Sequence, residues 1–173
     1  KMNIKLNDAI TLAQKFESSN HSSKLFLAPP TPYLAYLAKI LVKTKICAQD
    51  VSSIKGLGAY TGENSATIIK SCGVNHSIIG HSERRTTQRE SNSIVRKKVE
   101  NCIEAGIAPI VCIGETLESR QNKNYKEFLI EQINSSIPSN AHNLIIAYEP
   151  VWAIGSGITP QPEEIYEIVE LIK

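Results

Sequence analysis

No run of apolar residues in this sequence reaches the ~18 needed to cross a bilayer, and none of its four cysteines stands in a C-x-x-C spacing with another. The first absence predicts a chain with no membrane contact. The second argues against zinc ribbons and dithiol redox centres. His, Cys, Asp and Glu form no cluster with metal-ligand spacing either, so chemistry without a metal or other cofactor is expected. Excess charge of one sign is also missing: 19 Lys+Arg against 17 Asp+Glu leave a formal net charge of +2. The densest basic cluster, Arg96-Lys97-Lys98, lies within a helical pattern and reads as a solvated face, which argues against a nucleic-acid surface. The opening Lys-Met-Asn-Ile-Lys lacks the apolar segment of a secretory signal, so a cytoplasmic, reducing setting is expected. Cys47 and Cys112 then behave as small hydrophobes in apolar runs. The N-x-S triplets at Asn20, Asn75 and Asn134 are read as chance matches.

What is present is an ordinary globular balance: 173 residues, 42% hydrophobic and 21% charged, enough to bury a real core in one domain. Apolar runs at 24–28, 45–49, 76–80, 107–113 and 144–148 read as strands. A helical pattern at 6–17 precedes them, and others at 66–71, 87–105 and 117–135 lie between them. Another helix starts at Thr31, an N-cap followed by Pro32, and the last opens with Thr159-Pro160. The strands are apolar without strict alternation, as strands covered on both faces are. This rhythm implies right-handed βαβ units and a parallel sheet. A doubly wound sheet and a (β/α)8 barrel both satisfy it.

In a parallel sheet the C-terminal strand ends share one side, where polar residues converge. Here those residues are Gln49-Asp50, His81-Ser82-Glu83, Gly114-Glu115 and Glu149-Pro150. One Glu or His after a strand is usually solvated or a cap. Together they offer a base and an electrophile from different strands. Two glycine-rich stretches, Gly56 to Gly62 and Gly155-Ser-Gly157, match neither G-x-G-x-x-G nor a P-loop. Their backbone N–H groups suit a small phosphate.

Four strings carry a resemblance: Ile79-Gly-His-Ser-Glu-Arg-Arg85, Ala48-Gln49 with Gly58-Ala-Tyr-Thr-Gly-Glu63, Ile110-Val-Cys-Ile-Gly-Glu115, and Ala147-Tyr-Glu-Pro-Val-Trp-Ala-Ile-Gly-Ser-Gly157. In order and across nearly the whole chain, they resemble triosephosphate isomerase, and they discriminate against other phosphosugar barrels. The resemblance implies one TIM-barrel domain over 1–173, partial, running from about the second strand to the sixth helix with the end of the first strand. It implies interconversion of dihydroxyacetone phosphate and glyceraldehyde 3-phosphate through an enediol(ate), in glycolysis and gluconeogenesis, by a homodimer. Glu149 becomes the base and His81 the electrophile, a neutral imidazole being this family's known device. Lys1 stabilises negative charge and helps bind substrate, with Glu83 and Ser82 in support. Pro150, Val151, Trp152, Ala153, Ile154 and Gly157 belong to a lid in which Gly155 and Ser156 meet the phosphate. Thr61 lies in the loop that reaches a neighbouring subunit. Gln49 is placed with that interface and at the base of the Lys1 setting. Asp50 replaces the asparagine associated with its place. A closed barrel needs eight strands and about 250 residues. Five strands are read here, so the expectation is a partial chain with little activity alone, and the alternative is an inactive fragment that only folds or associates.

Overall fold

The computed structural model describes residues 1–19 and 24–173. The triplet beginning at Asn20 lies outside the described residues. Five strands, β1 (Phe26–Leu27), β2 (Lys45–Ala48), β3 (His76–Ile79), β4 (Ala108–Ile113) and β5 (Ile145–Tyr148), form one sheet in the order β1-β2-β3-β4-β5. Every pairing is parallel. That order settles the alternative left open by the pattern. A doubly wound sheet must reverse its strand order to place helices on both faces. Here each strand follows its predecessor, so right-handed crossovers all return over the same face and the sheet curls as a sector of a barrel.

Around it lie α1 (Leu6–Ser18), α2 (Leu34–Ile40), α3 (Ala66–Ser71), α4 (Ser82–Thr87), α5 (Asn92–Glu104), α6 (Leu117–Gln121), α7 (Tyr125–Ser136) and α8 (Pro162–Ile172). The strand residues Ile46, Ala48, Ile79 and Val111 join Ala13, Leu37, Ile69, Val95 and Val99 from the helices in one core. A second cluster packs Ile113 of β4 against Leu129 of α7 and Ile168 of α8. Burying one such aliphatic side chain is worth about 1.5–3 kcal/mol, so the helix-on-sheet layer carries the fold.

Several helix limits differ from the sequence expectation. The helix read over 87–105 begins only at Asn92, as α5, and a separate short helix, α4, precedes it and ends at Thr87. Arg89 between them takes φ 54, and the Ser91 hydroxyl caps α5 by accepting from the Ile94 N–H. The run read as 117–135 breaks likewise at Lys123, φ 58. Thr31 is not an N-cap: it opens a 3-10 turn, Thr31–Tyr33, closed by the Tyr33 N–H to Pro30 O bond, and α2 follows. The last helix begins at Pro162 rather than at Pro160. Gln161 and Glu164 close a reciprocal capping box there, which satisfies its first N–H groups. Gly106, with φ 70, follows the end of α5 and stops the helix there.

An ion cluster fixes the loops that frame the strand ends. Lys98 of α5 is buried and bonds Asp50 at 2.5 Å and Glu90 at 2.6 Å. Arg84 of α4 meets the same carboxylates at 2.8 and 2.7 Å. The segment after β2 is thereby tied to the helix that follows β3.

Candidate active site

His81 stands at the N-cap of α4, where its Nδ1 accepts from the Glu83 N–H at 3.2 Å. A ring nitrogen that accepts carries no proton, so this geometry selects the tautomer with hydrogen on Nε2. Nε2 lies 3.2 Å from Glu149 Oε1. The other oxygen of Glu149 accepts from the Ser82 N–H at 3.0 Å. The Glu149 N–H donates to Ile113 O at 2.8 Å, carrying the β4–β5 ladder one residue past β5. Both side chains are largely covered, 17% exposed for Glu149 and 26% for His81. A carboxylate and an imidazole N–H from two different strand ends thus meet at one point.

Glu83 lies on the other flank of the imidazole. One of its oxygens pairs with Lys1 Nζ and the other is 4.0 Å from His81 Nδ1. The Lys1 hydrogen bond holds the Glu83 carboxyl below the usual carboxylate range. Gln49 Nε2 donates to Ala28 O beyond β1 at 2.8 Å and to Lys1 O at 3.5 Å. It therefore serves the Lys1 setting. Lys1, Gln49, His81 and Glu83 line one open cavity of about 560 Å³.

Glu115, a further carboxylate at the strand ends, is fully buried and takes no part in that group. Its Oε1 accepts from Arg120 Nε at 2.7 Å, Tyr148 OH at 2.9 Å and Trp152 Nε1 at 2.7 Å. The last of these ties down the segment expected to be a lid. That segment opens with a 3-10 turn, Val151–Ala153, and carries positive φ at Gly155 and Gly157. The Ser156 hydroxyl donates to Ala153 O at 2.9 Å and accepts from the Ile158 N–H at 3.1 Å. Gly155 and Ser156 are exposed and their segment is bonded to itself, so the structure does not bring them against His81. Thr61 sits on an exposed turn.

The sequence places Gly114 at a strand end beside Glu115 and assigns it no role. A Cβ there would lie 1.9 Å from Glu149 O and 2.8 Å from Val151 Cγ2. The adjacent strand end thus runs against bare backbone. The signal in sequence is thin: a glycine where two parallel strands finish side by side. Cys112, one residue earlier, is buried, and burial followed by the charge of Glu149 pushes its thiol far up.

Among the described residues no helix is long and apolar enough to cross a membrane, and no group of three or more His, Cys, Asp or Glu side chains is placed to hold a metal.

Comparison with known proteins gives a consistent result. The profile of the family described as triosephosphate isomerase matches residues 1–173. The chain is 42% identical over 178 residues to the triosephosphate isomerase of Orientia tsutsugamushi (strain Ikeda), an alignment covering 100% of this chain and 72% of that relative. With the triosephosphate isomerase of Thermodesulfovibrio yellowstonii it shares 39% identity over 172 residues, 95% of this chain and 70% of the other. The crystal structure of triosephosphate isomerase from Bartonella henselae superimposes with a TM-score of 0.84 at 33% identity, over 99% of this chain and 70% of that one.

Proposed function

This chain belongs to the triosephosphate isomerase family, and from that premise we propose that it interconverts dihydroxyacetone phosphate and glyceraldehyde 3-phosphate in central carbon metabolism. The observation that carries the residue roles is the approach of Glu149 Oε1 to His81 Nε2 at 3.2 Å. The substrate carbonyl oxygen takes the place of Glu149 as acceptor for the Nε2–H. Glu149, released from that bond, removes a proton from the neighbouring carbon. The electron pair moves into an enediol(ate), whose oxygen is stabilised by His81 and by the charge of Lys1. His81 gives its Nε2 proton to the former carbonyl oxygen and takes up the proton of the neighbouring hydroxyl, and Glu149 returns its proton to the other carbon. Glu83 holds Lys1 on the flank of the imidazole, and the Ser82 N–H holds the carboxylate between turnovers.

The segment Pro150 to Gly157 closes over the phosphate, which Gly155 and Ser156 receive through backbone N–H groups. Closure excludes water from the intermediate. We assign the loop bearing Thr61 to a homodimer contact, the chain to one domain, and the setting to the cytoplasm.

A coupled isomerase assay on the purified chain tests this reading. Glu149→Asp and His81→Gln are each expected to lower kcat by about 10²–10⁴-fold, the range for a positioned acid or base, with the far-UV circular dichroism unchanged. Unchanged rates would remove these two residues from their roles. A folded chain with no turnover would instead favour an assembly or folding unit without chemistry.

A further inference from the structure

The lid segment is held by more than the Trp152 bond. Arg120 of α6 is 14% exposed and touches the chain on both sides of that segment. On the entry side its guanidinium lies 5.0 Å from the Trp152 ring and donates to Glu115 Oε1 at 2.7 Å and to Tyr148 OH at 3.5 Å. On the exit side its Nη1 lies 3.8 Å from Glu164 Oε1 in the first turn of α8. The guanidinium also stacks over Tyr125 of α7 at 4.3 Å, and the Tyr125 hydroxyl donates to Glu167 of α8 at 3.2 Å. One planar cation therefore reaches the residues before the lid, the helix after it, and Tyr125 of α7.

We propose that Arg120 is a positioning residue for the lid: by holding Trp152 at one end and α8 at the other, it sets how fast the segment opens and closes. The role of the lid in turnover rests on the isomerase reading above; the mechanical role of Arg120 does not.

The bonding at Glu115 supports this division of labour. Three donors converge on Oε1, while Oε2 is buried with no partner among the described residues. When Trp152 leaves, Arg120 and Tyr148 still satisfy Oε1, so the indole departs without stranding a buried charge. Arg120 is thus the fixed member and Trp152 the exchangeable one. Lysine cannot substitute, because it lacks the planar fork that stacks on rings while bonding a carboxylate.

Trp152 is the single tryptophan of the sequence, so its emission reports this contact directly. Two variants separate the two ends. Arg120→Lys removes the stack and the fork. Glu164→Gln removes only the charge facing Arg120, and glutamine still closes the capping box with Gln161. After a temperature jump, the Trp152 relaxation is expected to accelerate at least about threefold in Arg120→Lys and by a smaller factor in Glu164→Gln, within the μs–ms range of lid motions. In the isomerase assay kcat is expected to change while KM stays within about twofold, since a gate acts on a conformational step. Relaxation within experimental error of the parent chain in both variants would overturn the proposal. If Arg120→Lys loses its far-UV signal, Glu164→Gln decides alone. A chain without isomerase activity would defeat the functional reading and leave the fluorescence result to judge Arg120.

Discussion

A single methyl group is enough to disturb the strand end that carries Glu149. At Gly114 it would meet Glu149 O at 1.9 Å, and backbone cannot swing aside as a flexible side chain can. Gly114→Ala is therefore expected to push the end of β5 off β4 and strain the 2.8 Å bond from the Glu149 N–H to Ile113 O. Overpacking of this kind typically costs about 1–3 kcal/mol, and a 1 Å misplacement of a reacting group costs on the order of 10²-fold in rate. Differential scanning calorimetry should show a lower Tm, and the coupled assay a loss of kcat larger than the change in KM. A variant with parental Tm and kcat would mean the strand end yields freely. At this scale the meeting of His81, Glu83 and Glu149 was legible in the sequence, because each follows a strand and parallel strands place such residues together. The sequence was a poor guide to Glu115. That residue occupies an equivalent place after β4, but Arg120, Tyr148 and Trp152 consume its oxygen, and no spacing rule reveals partners 33 and 37 residues away.

Elements are joined by backbone capture as much as by packing. Glu17, near the end of α1, accepts from the N–H groups of Val42, Lys43 and Thr44 at 2.9, 2.7 and 2.9 Å, just where the chain enters β2. Those backbone bonds, from Lys43 and Thr44 above all, lower its pKa from 4.5 to about 2. The folded value lies below the unfolded one, so the contribution is fully present above pH 4.5 and disappears as pH falls toward about 2. Glu17→Gln is expected to lower Tm at neutral pH and to flatten the fall of Tm across that acid window. Parallel Tm curves for the two proteins would show that these bonds do not couple to folding. The helix breaks belong to this scale too. Arg89 and Lys123 lie in polar stretches with no apolar residue to mark a helix limit, so apolar periodicity is silent on where α5 begins and where α6 ends. The breaks depend on two residues adopting left-handed backbone, which the Ser91 cap and the packing of separate helices hold in place.

Across the whole molecule, burial separates the cysteines. Cys47, Cys102 and Cys112 are buried free thiols and Cys72 is half-buried. Burial pushes Cys47 and Cys102 up to about 12, so little thiolate forms at neutral pH. A disulfide reagent is expected to modify one thiol, Cys72, quickly, and the other three only at the rate of global opening. Rapid reaction of all four would show that the helix-on-sheet layer opens far below the cost of unfolding.

The sequence by itself determined the alternation of strands and helices, the parallel sheet it requires, and the side on which His81, Glu83 and Glu149 collect. These are consequences of local periodicity and of strand direction, both written in near neighbours. Tertiary structure alone decided that the sheet winds in one direction rather than two, because strand order depends on which edge each new strand joins. It also decided which carboxylates face the imidazole, why Gly114 cannot carry a side chain, and how Arg120 reaches both Tyr148 and Glu164. Each depends on distances between residues far apart in the chain, and only the packed fold sets those distances.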